Sequence, residues 1–310
     1  MGLFNFSADS GNPGHGANPP PSPPISTAPL RAGVYIRPWT EDKITLSALD
    51  DLKPGVVRIN YPAFPLLLPD NQAEASRLVI LIEAEINHAR SIGALPLIVT
   101  TLKKIIAPAT RMDILLDAKE ISSYYAGVAK RFPGCAWEIG NEANIKSGGG
   151  DFPITPSDYA YTFNIHAQAI HDADSSAQLV TAGTSGFDWE WIRQVVELTA
   201  LGNGYGPNAV GVHPYGINPL DYAQSVKGLG IRLPVWFTEW GRALVTPTEV
   251  SDYYTHARGI VPLAVLFCLS DLSADKLNLL ATVPQPFGLM TVEGFHRPSY
   301  DAAKIAYALK

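Results

Sequence analysis

From Arg31 onward, short runs of β-branched and aromatic residues alternate with longer segments whose apolar positions recur at helical spacing. Eight runs read as strands: AGVYIRP (32 to 38), GVVRINY (55 to 61), ALPLIVT (94 to 100), AWEIGN (136 to 141), QLVTAG (178 to 183), AVGVHPY (209 to 215), PVWFTEW (234 to 240) and PLAVLFCLS (262 to 270). Between and after them the pattern predicts helices near 72 to 92, 111 to 132, 156 to 173, 187 to 201, 219 to 229, 247 to 259 and 298 to 309, with a weaker one at 41 to 52. Two of these open on Thr-Pro, at Thr155-Pro156 and Thr246-Pro247. There a side-chain oxygen can take a free amide, and a proline suits the first turn. Eight strands, each followed by a helix, over roughly 280 residues predict a (β/α)8 TIM barrel. A doubly wound open sheet is the alternative, but no Gly-rich phosphate loop follows the first strand.

The pattern is different before the barrel. Residues 1 to 30 include SGNPGHGANPPPSPP, too rich in Gly, Pro and Ser to offset the entropy of ordering by apolar burial. They are expected to form a leader or linker, with residues 31 to 310 as the catalytic barrel. The formal charge of -6 and the absence of a long Lys/Arg cluster exclude an electrostatic footprint for nucleic acid or an anionic membrane surface, which favours a neutral, polar ligand. Cys135 and Cys268 have no metal-binding spacing and no neighbouring His, and read as small core residues. No apolar run reaches the ~18 residues a membrane span needs, and the N-terminus has no secretory-signal pattern.

A barrel keeps its chemistry at the C-terminal ends of its strands, so the polar residues closing apolar strands are the candidates. They are Arg58 and Asn60 on the second strand, Asn141 and Glu142 on the fourth, His213 and Tyr215 on the sixth, Glu239 and Trp240 on the seventh, and Ser270 and Asp271 on the eighth. Glu142 and Glu239 close strands three apart in the ring, so they can face each other across one side of the mouth. Two carboxylates flanking a bond suit glycoside cleavage: one protonates the leaving oxygen while the other, ~5 to 5.5 Å away in retaining enzymes, attacks the anomeric carbon.

WEIGNEAN on the fourth strand, VHPYG on the sixth and WFTEWG on the seventh resemble the clan A retaining glycoside hydrolases, in strand order over nearly the whole barrel. The resemblance implies that Glu142 is the acid/base and Glu239 the nucleophile. It also implies that Asn141 hydrogen-bonds the sugar 2-hydroxyl, and that Arg58, His213 and Tyr215 orient and stabilise the nucleophile. The fourth strand is similar to arabinofuranosidase-like and glucuronidase-like families. TEWG and the closing GLMTVEGFHRPSY are similar to xylosidase-like and cellulase/mannanase-like ones, so the family stays open. The chain departs from the clan at the eighth strand, where many members carry a Trp that floors the sugar and this sequence reads LFCLSDL. Phe267, Trp240 or Trp39 would have to take that role.

Each feature also has a plain alternative. Glu138, four residues or ~13 Å along the strand before Glu142, reads as a structural carboxylate needing a buried partner such as Arg58 or a barrel hydroxyl. His213 could ligate zinc, but the other histidines do not fall at strand ends, and His166 and His171 are five apart rather than four, so no metal is expected. Most aromatics are expected to be core, Trp137 and Trp236 among them, with Trp240 and Trp39 as candidate sugar platforms. The glycines of Ser147 to Gly150 and the long connection at 271 to 297 would shape the cleft rim. Together these readings predict a retaining O-glycoside hydrolase, monomeric and without a cofactor, acting on an oligo- or polysaccharide in an open cleft. A carbohydrate-binding barrel without turnover and a transglycosylase are the rivals.

Overall fold

The computed structural model describes residues 28–36, 42–104, 110–145, 154–200, 205–225, 231–270, 287–291 and 294–309. Residues 1–27, Trp39, Asp271, the glycines after Ser147 and most of the 271 to 297 connection lie outside them.

Eight parallel strands close into a barrel in sequence order. They are β1 (Arg31–Ile36), β2 (Val56–Tyr61), β3 (Leu95–Thr100), β4 (Ala136–Asn141), β5 (Gln178–Ser185), β6 (Val210–His213), β7 (Val235–Trp240) and β8 (Leu263–Leu266). The ring is sealed where β1 pairs with β8, Arg31 opposite Leu263 and Val34 opposite Leu266. Around it run α1 (Asp42–Leu52), α2 (Phe64–Leu67), α3 (Gln72–Ser91), α4 (Arg111–Arg131), α5 (Pro156–Ala173), α6 (Trp189–Ala200), α7 (Pro219–Ser225), α8 (Pro247–Ala257) and α9 (Pro298–Ala308). This is the expected (β/α)8 barrel.

The helices start where capping chemistry permits. Thr155 accepts from the Asp158 amide, and Thr246 with Glu249 forms a full capping box, each with proline in the first turn. Thr110 and Asp113 form a second capping box at α4. Two strands are shorter than their sequence runs. β6 stops at His213 because Pro214 has no amide to continue the ladder, which leaves Tyr215 on the loop beyond. β8 stops at Leu266, and Ser270 lies past it in an isolated bridge to Met290.

Side-chain alternation divides the core into two layers. Tyr35, Val56, Leu97, Ala136, Val180, Ala209, Trp236 and Val265 form the barrel interior. Val57, Ile59, Tyr61, Trp137, Ile139, Phe237 and Leu266, one residue out of phase, pack against the helices. The interior layer is apolar at its base and turns charged toward the C-terminal mouth, where Arg58, Glu138 and His213 are fully buried.

Candidate active site

The pleat alone would misplace three of the residues at the mouth. On β4, Ala136 and Glu138 face in while Trp137 and Ile139 face out, so a regular strand would turn Asn141 toward the helices. Gly140, at φ 85°, breaks the alternation, and the Asn141 side chain meets Arg58 inside the mouth. Glu142 follows in the left-handed region at φ 45°, a costly conformation for a residue with a Cβ. Its amide is tied to the Gly183 carbonyl at 2.8 Å. On β7, Trp236 faces in, so alternation would put Trp240 inside and Glu239 outside. The register against β8 shifts between Phe237 and Trp240, and this irregularity exchanges the two.

Arg58 is the hub. Its Nε donates to Glu138 Oε2 at 2.7 Å, Nη2 donates to Asn141 Oδ1 at 2.8 Å and Nη1 donates to Glu239 Oε1, with the guanidinium carbon 5.5 Å from the Tyr35 ring centroid. One planar fork thus joins β2, β4 and β7, a geometry a point-charge ammonium cannot reproduce. Burial works against the guanidinium charge, but Glu138 and Glu239 outweigh it and hold its pKa above the ordinary value.

Glu138 is the buried partner of this cation and more. Its Oε1 accepts from the Gly183 amide at 2.8 Å and from the Thr238 hydroxyl at 3.0 Å. Burial would raise its pKa, but Arg58 and His213 lower it to about 2, so it is an anion at every working pH. The expected partners, Arg58 and a barrel hydroxyl, are both present.

His213 stands among three carboxylates. Nδ1 is 3.1 Å from Glu142 Oε1 and 3.8 Å from Glu239 Oε2, while Nε2 is 3.5 Å from Glu138 Oε1, within ion-pair range but outside hydrogen-bonding geometry. Burial disfavours its charge, yet Glu239, Glu138 and Glu142 together push its pKa up to about 9 against the opposing Arg58. The implied role is thereby shifted, because His213 hydrogen-bonds Glu142 rather than Glu239. Tyr215 does address Glu239, its hydroxyl donating to Oε2. Burial, then the Glu239 carboxylate, hold that phenol well above its ordinary range, so it stays a donor.

The aromatic candidates separate. Trp240 is 4% exposed, one face covered by Tyr253 at 3.7 Å between ring centroids and 6° between planes. The β7 irregularity places the indole in the helix-facing cluster rather than in the interior layer. It also lines a cavity of about 350 Å³ with Pro214, Asn218, Arg242 and Tyr253. Phe267, continuing β8, is half-buried, stacked on Tyr35 at 4.9 Å and edge-on to Tyr215 at 6.3 Å. It therefore borders the residues that hold Glu239. Trp137 and Trp236 are core, as expected.

Sequence reasoning missed Gly183 and Thr238. A Cβ on Gly183 would lie 2.1 Å from His213 Nε2 and 2.6 Å from Thr238 Oγ1, so only glycine leaves room for the imidazole there. A glycine near the end of an apolar strand was the one available signal, and it is a weak one. Among the described residues, no group of three or more His, Cys, Asp or Glu could hold a metal ion, and no helix is long and apolar enough to cross a membrane.

No protein-family model matches the sequence, and no curated protein matches it. Solved structures do match. A GH39 enzyme from Xanthomonas axonopodis pv. citri superposes with TM-score 0.64 at 16% identity, covering 92% of this chain and 68% of that one. A monomeric beta-xylosidase from Caulobacter crescentus CB15 gives 0.66 at 15% identity, covering 92% and 70%. GH5_18 from Streptomyces cattleya, solved in complex with GlcNAc, gives 0.61 at 17%, covering 92% and 82%. At these identities the likeness shows a shared barrel fold.

Proposed function

We propose that this protein is a retaining O-glycoside hydrolase acting on an oligo- or polysaccharide, with Glu239 as nucleophile and Glu142 as acid and then base. The observation that carries the reading is the unequal treatment of the two carboxylates. Glu239 accepts from a guanidinium and a phenol, which fix the orientation of its carboxylate. Glu142 meets the His213 imidazole at 3.1 Å, a partner that can hold or release a proton. His213 Nδ1 reaches both, so at most the sum of 3.1 and 3.8 Å, about 7 Å, separates their facing oxygens, a bound compatible with the retaining arrangement.

In the first step Glu239 attacks the anomeric carbon as the Glu142 proton passes to the departing oxygen, leaving a glycosyl ester. In the second, Glu142 takes a proton from water, whose oxygen displaces Glu239 and restores both groups. Asn141, which accepts from Arg58, is the group that meets a sugar hydroxyl in this reading, and Phe267, stacked on Tyr35 and edge-on to Tyr215, is the apolar ring for a sugar face. No cofactor takes part. A sugar acceptor in place of water would give transglycosylation with the same two carboxylates.

A panel of activated aryl glycosides tests the reading with wild type, Glu142→Ala and Glu239→Ala. Azide is expected to restore turnover in the first variant with retained configuration and in the second with inverted configuration. Tight binding of a sugar that no variant or wild type turns over would identify a binding barrel instead.

A further inference from the structure

Glu138 touches no position open to substrate, yet it is built into the site as thoroughly as Glu239. It is fully buried, ionised and fixed by Arg58, the Gly183 amide and Thr238. Its Oε1 lies 3.5 Å from His213 Nε2, and that nitrogen has no hydrogen-bond partner among the described residues. The missing Cβ of Gly183 is what lets the imidazole edge approach this closely.

We propose that Glu138 is a positioning residue for proton transfer: its carboxylate keeps a proton on His213 Nε2, so that Nδ1 alone shares a proton with Glu142. The proposal rests on the reading of Glu142 as acid/base. A neutral imidazole has one N–H and one lone pair. With the lone pair at Nε2, it would point at a buried anionic oxygen 3.5 Å away, in surroundings where charge is poorly screened. With the hydrogen there, the same contact is attractive. Nδ1 of the neutral ring therefore carries the lone pair, facing Glu142 Oε1 at 3.1 Å. That contact can form only if one proton lies between them, on the carboxyl or on the ring. When Glu142 gives that proton to the leaving oxygen, the Nδ1 lone pair is left facing the new carboxylate, a contact that favours the return of a proton in the second step. When Glu142 regains a proton from water, the original state returns and no net proton leaves His213.

Every charged or titratable group facing the ring bears on this balance. Glu138 and Glu142 come from β4 and the turn after it, Glu239 from β7 at 3.8 Å and Arg58 from β2. The Tyr215 ring stands edge-on at 6.1 Å. Glu239 and Glu142 lie toward Nδ1, so among the described residues Glu138 is the carboxylate that selects Nε2. The logic is that of an acid that orients a catalytic imidazole without itself being protonated.

The test is Glu138→Gln in the full chain, which keeps an acceptor for the Gly183 amide and Thr238 while removing the charge. In protein labelled with 15N-histidine and assigned against His213→Gln, wild type is expected to show Nε2 protonated both below and above the His213 titration. Glu138→Gln should titrate about one to three units lower and populate the Nδ1–H tautomer. On an aryl glycoside that wild type cleaves, the alkaline limb of kcat/KM should move down with it, whereas a packing role would lower kcat at every pH and leave the limb in place. A wild-type neutral ring protonated at Nδ1, or a variant with an unchanged tautomer and titration, would overturn the proposal. The wild-type spectrum decides the tautomer even if the variant does not fold. Absence of any cleavable glycoside would count against the glycosidase reading while leaving the spectroscopic result to stand on its own.

Discussion

Replacing Arg58 with Met removes a buried cation of similar length from between two buried carboxylates and an amide oxygen. Removing one partner of a buried ion pair costs about 3–5 kcal/mol, because the other partner is left charged without compensation. The pH dependence is the sharper signature. In wild type the folded Glu138 pKa, about 2, lies below its unreacted reference of 4.5. Its contribution to stability is therefore fully present above about 4.5 and is lost as pH falls toward about 2. Without Arg58, burial dominates, offset only in part by His213, and the folded carboxyl titrates above the reference value. The folded variant then binds a proton that the unfolded chain has released, so its deficit grows as pH rises above about 4.5. Urea midpoints for the first unfolding transition of wild type and Arg58→Met, at pH 4 and pH 7, measure both effects. The gap between them should reach about 3–5 kcal/mol at pH 7 and be clearly smaller at pH 4. A gap below about 1 kcal/mol at pH 7, or one of equal size at both pH values, would refute the assignment of Arg58 as the cation that keeps this cluster charged.

Tyr215→Phe deletes the hydroxyl that donates to Glu239 Oε2. A hydrogen bond to a charged group contributes about 1.5–3 kcal/mol, so kcat/KM on a cleaved glycoside should fall roughly 10- to 150-fold while the melting temperature stays within a few degrees. Gly183→Ala drives a methyl group to within 2.1 Å of His213 Nε2. Overpacking of this kind costs about 1–3 kcal/mol, and displacement of His213 should lower kcat by about a hundredfold or more, both readable from a thermal melt and a rate assay on one preparation. A variant with wild-type rate would show that the imidazole does not need its observed position.

The order of elements was written along the chain. Eight apolar runs alternating with helical-period segments, and Thr-Pro caps at Thr155 and Thr246, follow from local rules of burial and capping, and they are enough for a closed barrel. The residue types at the strand ends were legible for the same reason, since a polar residue closing an apolar strand has few places to go except the mouth. Which way those residues face was not. A period of two assigns Asn141 and Glu239 to the helix layer and Trp240 to the interior, and only the turn at Gly140 and the shifted register between β7 and β8 reverse this. Such irregularities arise from pairing with a neighbouring strand, and that pairing is not encoded in any one segment. The part played by Glu138 was hidden on the same grounds. Its partners come from β2, β5, β6 and β7, and four distant stretches become one charged cluster only when the barrel closes. Sequence therefore determined which groups are available and at which end of the barrel they lie. Closure decided which carboxylate receives the guanidinium, which receives the imidazole and which is buried between them, because desolvation and charge pairing depend on distances that only the folded ring sets.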